Sequence, residues 1–124
     1  MDKPFLWLFH NFYEFFEVKV MLESKFQREV IADLKELFPE ALIFKNESKQ
    51  GLPDLTVLWN EHWALLECKK SADASHQPNQ DFYVEYADGM SFSRFIYPEN
   101  KQEVLNELQQ AFRTGREACA SQSE

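Results

Sequence analysis

The chain has 124 residues, of which 44% are hydrophobic and 27% charged, and its formal net charge at pH 7 is −8. This size and composition predict one soluble globular domain with a hydrophobic core. The negative charge argues against a broad basic surface for nucleic acid. The two cysteines lack metal-ligand spacing and one lies in a polar tail. We therefore expect no structural disulfide, and a reducing compartment such as the cytoplasm.

The first part of the chain, residues 1–21, is an aromatic-rich extension. No signal peptide is evident, because a basic segment and a small-residue cleavage site are missing. Residues 4–22 carry too many charged side chains to cross a bilayer comfortably. The segment is compatible with an interfacial amphipathic helix, a dimer contact or an extra packing helix. It is also compatible with a natural start at Met21 that leaves everything before it dispensable.

The first predicted element is a helix from Ser24 to Phe38. Apolar residues recur there at three- and four-residue steps, starting with Phe26, as expected for one buried helix face. Ser24 followed by Gln27 resembles a capping box, and Pro39 ends the predicted helix.

Three strands are predicted next. Ala41–Lys45 is a short apolar run, and Asp54–Trp59 and His62–Lys69 are expected to form a hairpin that turns at Asn60-Glu61. Both faces of this hairpin carry apolar residues. Strands of this kind belong at the centre of a sheet that is covered on both sides.

The remaining chain predicts a helix, a strand and a second helix, followed by a polar tail. The expected bounds are about Gln77 to Tyr86 for the helix, ended by Asp88-Gly89, Met90–Tyr97 for the strand, Glu99 to about Phe112 for the last helix, and 114–124 for the tail. The element order favours a mixed α/β sandwich in which helices flank a sheet.

Two acidic residues occupy positions of the predicted hairpin that are expected to be buried. A turn at Asn60-Glu61 puts Asp54 directly opposite Glu67, with Cβ atoms roughly 5 Å apart, where like charges repel. A divalent cation would offset the repulsion, and carboxylates are hard oxygen ligands suited to Mg²⁺. Lys69 shares the face of Glu67, because side chains two residues apart on a strand point the same way. The backbone carbonyl of Cys68 is a further candidate ligand. The pattern predicts a metal-dependent active site.

The motif Gly51-x-Pro53-Asp54, twelve intervening residues, and then Glu67-Cys68-Lys69 resembles the PD-(D/E)XK nuclease superfamily. It is most similar to the small VRR-NUC and Holliday-junction-resolvase-like members, many of them phage proteins. The resemblance implies a restriction-endonuclease-like fold over residues 22–113, between the extension at 1–21 and a flexible tail at 114–124. It also implies that the two acids bind Mg²⁺ or Mn²⁺ and that the lysine acts on the attacking water.

The resemblance extends to residues outside the motif. The family places a metal-site glutamate near the start of the first helix, which Glu23 matches, and a glutamine on the helix after the lysine strand, which Gln80 matches. A basic residue before the glycine loop is also common, and Lys45 fits. Lys70 is a further candidate for holding a phosphate. Cys68 departs from the pattern, since a small aliphatic residue is more usual there. The acidic composition and the aromatic-rich N-terminal extension also depart from it.

The function implied by this resemblance is a metal-dependent endonuclease that hydrolyses DNA by water attack and leaves a 5′-phosphate. Branched, flapped or Holliday-junction DNA is the implied substrate class. The implied form is a homodimer in the cytoplasm of a bacterial or phage-infected cell. An alternative is a catalytically idle, acidic interaction protein or DNA mimic that inhibits a nucleic-acid enzyme, and a third is a membrane-surface protein that uses residues 4–22.

Overall fold

The computed structural model describes the backbone of residues 3–47 and 50–122, and the side chains of residues 18, 21–47 and 50–114. Its elements in chain order are α1 (Lys3–Leu37), β1 (Leu42–Lys45), β2 (Leu55–Trp59), β3 (His62–Cys68), α2 (Pro78–Met90), β4 (Phe92–Ile96) and α3 (Lys101–Gln122). The order of helices and strands is the predicted one. The mixed α/β class is confirmed.

The four strands form one mixed sheet in the order β1-β2-β3-β4. The first three strands are antiparallel neighbours, and β4 runs parallel to β3. A parallel neighbour requires a crossover, which α2 provides. The hairpin strands β2 and β3 therefore lie at the centre of the sheet, as their apolar faces predicted.

The hairpin has the predicted register. Leu55 pairs with Leu66 at one end and Trp59 pairs with His62 at the other, so the turn is at Asn60-Glu61. Asn60 has a φ of 54°. This is the left-handed region, which asparagine tolerates better than most residues with a side chain.

One face of the sheet forms the main core against α1 and α3. The central residues on this face, Leu55, Val57, Ala64 and Leu66, are fully buried. The helices contribute residues from their apolar stripes, among them Phe26, Val30, Leu34, Leu108 and Phe112. Burying one such large side chain is worth about 1.5–3 kcal/mol. The opposite face carries Asp54, Glu67 and Lys69, and α2 packs over its β3–β4 side.

The first helix is longer than the sequence predicted. It begins at Lys3 rather than Ser24, so the prediction that Ser24 is an N-cap was wrong. No proline or glycine occurs between Phe5 and Glu23, so no helix-breaking residue interrupts this part of the helix. The helix crosses the expected boundary at residue 21 without a break. In the part of the chain that the structure describes, none of the helices combines the length and the hydrophobicity that a membrane span requires.

The two later helices run past their predicted ends. α2 includes Gly89 and stops at Met90, and α3 continues from the expected end near Phe112 to Gln122. One glycine lowers helix stability by only about 1 kcal/mol and does not by itself end a helix. The expected polar tail therefore begins inside α3. Its side chains beyond Thr114 lie outside the described residues.

Candidate active site

The open end of the hairpin brings two carboxylates together. Asp54 and Glu67 form the next opposite pair after Leu55 and Leu66. The backbone N–H of Asp54 donates to Glu67 Oε2 at 3.1 Å, and the N–H of Cys68 donates to Asp54 Oδ2 at 3.0 Å. Each carboxylate therefore accepts a hydrogen bond from the backbone of the other strand. The side chains are fixed by the strands themselves, so their proximity follows from the hairpin register.

Burial works against ionisation of this pair. Glu67 is only 3% exposed, and desolvation, together with the charge of Asp54, raises its pKa from 4.5 to about 8. Desolvation also raises the pKa of Asp54, although the hydrogen bond from Cys68 opposes the shift. The charge of Lys69 lowers both pKa values without cancelling the effect of burial. Two partly desolvated carboxyls this close are stable either with a shared proton or with a bound cation.

Lys69 and Gln80 form a hydrogen-bonded network with Glu67. Lys69 is 7% exposed, and its Nζ donates to Gln80 Oε1 at 2.8 Å and to the backbone carbonyl of Ser75 at 3.2 Å. The amide Nε2 of Gln80 donates to Glu67 Oε1 at 3.0 Å. Gln80 Oε1 also accepts from the backbone N–H of Gln77 at the start of α2. One amide therefore connects the lysine, the acid and the helix N-terminus.

Cys68 has its side chain and its backbone on different sides of this arrangement. The thiol is buried in the core, and burial, with the charges of Asp54 and Glu67, raises its pKa. Its backbone N–H points to Asp54. In an extended strand the N–H and C=O of one residue point toward the same neighbouring strand. We infer that the Cys68 carbonyl is directed toward the Asp54 side of the hairpin.

The loop before Asp54 is fixed by contacts that the sequence reasoning missed. Asn46 Nδ2 donates to the Pro53 carbonyl at 2.7 Å, and the backbone N–H of Asn46 donates to the Asp54 carbonyl at 2.8 Å. Gly51 has a φ of 88°, and a Cβ there would overlap with the Asn79 side chain. The glycine thus allows the loop to approach α2 closely. An asparagine after a strand is too common a pattern to have predicted this role.

The last three predicted site residues are Glu23, Lys45 and Lys70. Glu23 is half-buried in the middle of α1, and its charge raises the pKa of both Asp54 and Cys68, so its carboxylate lies within electrostatic range of the open end of the hairpin. Because α1 begins at Lys3, Glu23 is not at a helix N-terminus, where an acidic side chain would be stabilised by the helix dipole. Lys45 is exposed and pairs with Leu55, so strand alternation puts it on the opposite face from Asp54. Lys70 is half-buried directly after Lys69, and its charge acts on the exposed Asp73.

The donor set at the open end suits a hard divalent cation. No group of three or more His, Cys, Asp and Glu side chains arranged for a metal ion is present in the described part of the chain. Mg²⁺ does not require one, because it is commonly bound through one or two carboxylates and keeps several waters. Asp54 and Glu67 supply two carboxylates whose like charges call for a cation. The Cys68 carbonyl supplies a further oxygen of the same hard type.

Comparison with known proteins adds no relative to this picture. The chain matches no protein-family model, and no curated protein and no solved structure shows significant similarity to it.

Proposed function

We propose that this protein is a metal-dependent nuclease that hydrolyses phosphodiester bonds in DNA. The observation that carries the proposal is the meeting of Asp54, Glu67 and Lys69 on one sheet face, joined by Gln80. Two desolvated carboxylates beside an ammonium group form an unfavourable arrangement for stability alone. Such arrangements are concentrated at functional sites.

Each residue has a chemical role in the proposed reaction. Asp54 and Glu67, with the Cys68 carbonyl, would hold Mg²⁺ or Mn²⁺, and Glu23 would assist through the metal or its bound water. The bound ion would polarise the phosphoryl oxygen and lower the pKa of a bound water. Lys69 has three N–H donors, of which two bind neutral carbonyl oxygens, and the third can orient the attacking water. Gln80 bonds to both the Lys69 ammonium and the Glu67 carboxylate and would hold these two groups at a fixed distance from each other.

The net charge of −8 is compatible with a DNA substrate under one condition. A bound divalent ion is often the largest local charge in a site and reverses its local electrostatics. We therefore expect DNA binding to require the metal. Because we expect few contacts between DNA phosphates and lysine or arginine side chains, the affinity for DNA should depend only weakly on salt concentration.

The test is a cleavage panel of linear, flapped and four-way DNA with and without Mg²⁺ or Mn²⁺. Wild-type protein should cut only with the ion, whereas Asp54→Ala and Lys69→Ala should be inactive and folded by circular dichroism. Glu85→Ala and Lys35→Ala, which remove exposed charges elsewhere, are the matched controls and should cut normally. Robust cleavage by either Asp54→Ala or Lys69→Ala would refute the proposal.

The acidic surface favours a second candidate, an interaction protein or DNA mimic that inhibits a nucleic-acid enzyme. Its supporting observation is the charge of −8 on a 124-residue chain. Calorimetric titration with Mg²⁺ and Mn²⁺ separates the two functions. Binding that disappears in Glu67→Gln supports the nuclease, and an absence of binding together with an absence of cleavage supports the inhibitor.

We also propose, from the family resemblance, that the protein forms a homodimer in the cytoplasm and acts on branched or flapped DNA. An observation in favour of a dimer is the exposure of Val18, Met21 and Leu22 on α1, which are 52%, 68% and 52% exposed. Contiguous exposed apolar residues are typical of interaction surfaces. Sedimentation equilibrium of wild-type protein and Met21→Glu tests the dimer, and the cleavage panel tests the substrate class.

A further inference from the structure

The catalytic lysine depends on a loop that has few other contacts with the site. Residues 71–77 form most of the connection between β3 and α2, and within this loop the carbonyl of Ser75 accepts a hydrogen bond from Lys69 Nζ at 3.2 Å. Ser75 itself is exposed. The carbonyl can keep its position only if the neighbouring backbone is fixed by other groups.

His76, the next residue, makes two contacts that fix it. Its ring stacks on the ring of Phe95, with centroids 4.1 Å apart and an interplanar angle of 16°. Its Nδ1 lies 2.9 Å from Asp81 Oδ1 in the first turn of α2. The side chain is 29% exposed, so the ring is partly covered although it belongs to a surface loop. The stack and the hydrogen bond together attach the end of the loop to β4 and to α2.

The position of Phe95 relates this attachment to the site. Phe95 is the parallel-register partner of Glu67, and both residues lie on the sheet face that α2 covers. The His76 ring therefore lies over the strand position directly beside Glu67. Its neighbour Ser75 is thereby placed within reach of the Lys69 ammonium. On the other side of Ser75, the N–H of Ala74 donates to the Ser71 carbonyl at 3.2 Å within the loop, so the contacts of His76 are the nearest ones that attach Ser75 to β4 and α2.

We propose that His76 is a positioning residue for Lys69, acting through the Ser75 carbonyl. Its effect on cleavage rests on the proposed nuclease function, whereas its effect on the lysine does not. Lysine carries a flexible four-carbon stem with many rotamers, and the Ser75 carbonyl is one of the two acceptors that select a single one. Without His76 the loop end detaches, one acceptor is lost, and Lys69 samples conformations in which it no longer faces the acid pair.

The experiment compares His76→Ala with His76→Phe and with a control, His62→Ala. His76→Phe keeps an aromatic ring for the stack on Phe95 but loses the hydrogen bond to Asp81. His62 also stacks on aromatic rings, those of Trp59 and Phe112, but at the far end of β3. Its removal therefore reports what the loss of a stacked histidine does to stability alone.

Two properties of the full-length chain are measured. The first is the rate of acetylation at Lys69 relative to the exposed Lys35, determined by mass spectrometry without divalent ions. His76→Ala should raise this ratio about fivefold by local opening, while His62→Ala should leave it unchanged. The second is cleavage with Mg²⁺, where His76→Ala should lower kcat about tenfold with little change in KM, as for a misplaced catalytic group. For both the Lys69 acetylation ratio and kcat, His76→Phe should lie between wild type and His76→Ala.

The outcomes separate the two proposals. An unchanged Lys69 acetylation ratio in folded His76→Ala overturns the positioning role, as does an equal rise in His62→Ala. If wild-type protein cuts no DNA, the nuclease proposal fails, and acetylation alone then decides the role of His76. If His76→Ala does not fold, His76→Phe provides the comparison, and a wild-type acetylation ratio and kcat in that variant overturn the contribution of the hydrogen bond.

Discussion

The two ends of the β2–β3 hairpin are built from opposite kinds of contact. At the turn, the rings of Phe38, Trp59 and His62 surround Phe112, with centroids 5.3 to 5.8 Å from it. At the open end, the half-buried Asp54 faces the buried Glu67. The first arrangement stabilises the fold and the second destabilises it. The difference indicates that the apolar end and the core offset the cost of gathering like charges at the other end.

The largest expected effect on stability is at the turn end. Phe112 is 2% exposed, so Phe112→Ala removes a buried ring and leaves a cavity. We expect the free energy of unfolding to fall by about 3–5 kcal/mol, measured by urea denaturation. Cleavage per folded molecule should not change. A loss below about 1 kcal/mol would show that the aromatic cluster does not provide the stability assigned to it.

The corresponding change at the open end should affect activity instead. Glu67→Gln keeps the size of the side chain and removes one of the two facing charges. We expect Mg²⁺-dependent cleavage to fall roughly 10²–10³-fold, because the metal loses a ligand. The free energy of unfolding at pH 8 should change by less than about 1 kcal/mol, since relief of repulsion compensates for a less suitable hydrogen-bond partner. A large loss of stability with retained activity would contradict this prediction, because Glu67 would then contribute to the fold and not to cleavage.

The two ends should also respond differently to pH. The pKa of Glu67 is raised from 4.5 to about 8 in the folded chain, so the native state retains a proton that the unfolded state releases. This contribution to stability is complete below pH 4.5 and is lost as the pH rises through 8. Without divalent ions, the free energy of unfolding should therefore decrease across this window, by at most about 1.4 kcal/mol per pH unit.

Urea denaturation at a series of pH values measures this slope. Glu67→Gln serves as the control and should flatten it, while Phe112→Ala should lower the whole curve and keep its shape. Saturating Mg²⁺ should remove most of the decrease, because the cation takes the place of the proton. A slope that is the same in wild type and Glu67→Gln would contradict the assignment.

The smallest expected effect is at the hairpin turn itself. Asn60 has a φ of 54°, which costs most residues with a Cβ about 1–2 kcal/mol. Asn60→Ala should therefore lower the melting temperature slightly, whereas Asn60→Gly should leave it nearly unchanged. Cleavage should be normal in both, because register is also fixed by the buried face of the hairpin. A loss of activity in Asn60→Ala would mean that the turn alone controls the position of Asp54.

Much of the fold was predictable because its signals are local. The position of the turn at Asn60-Glu61 specifies the register, since it fixes which residues of the two strands face each other. That register alone brings Asp54 opposite Glu67. Helix ends were less predictable: α1 extends back to Lys3, and α3 continues to Gln122, because the sequence at those places lacks strong stop signals.

The sequence by itself determined the order of elements, the hairpin and the side of the sheet on which Asp54, Glu67 and Lys69 lie. Only the tertiary structure decided how Gln80 joins the acid to the lysine, how Asn46 holds the loop before Asp54, and how His76 stacks on Phe95. The physical reason is the range of the contacts. Strand alternation relates near neighbours in the chain, whereas these hydrogen bonds and the ring stack depend on how α2 and the loops dock against the completed sheet.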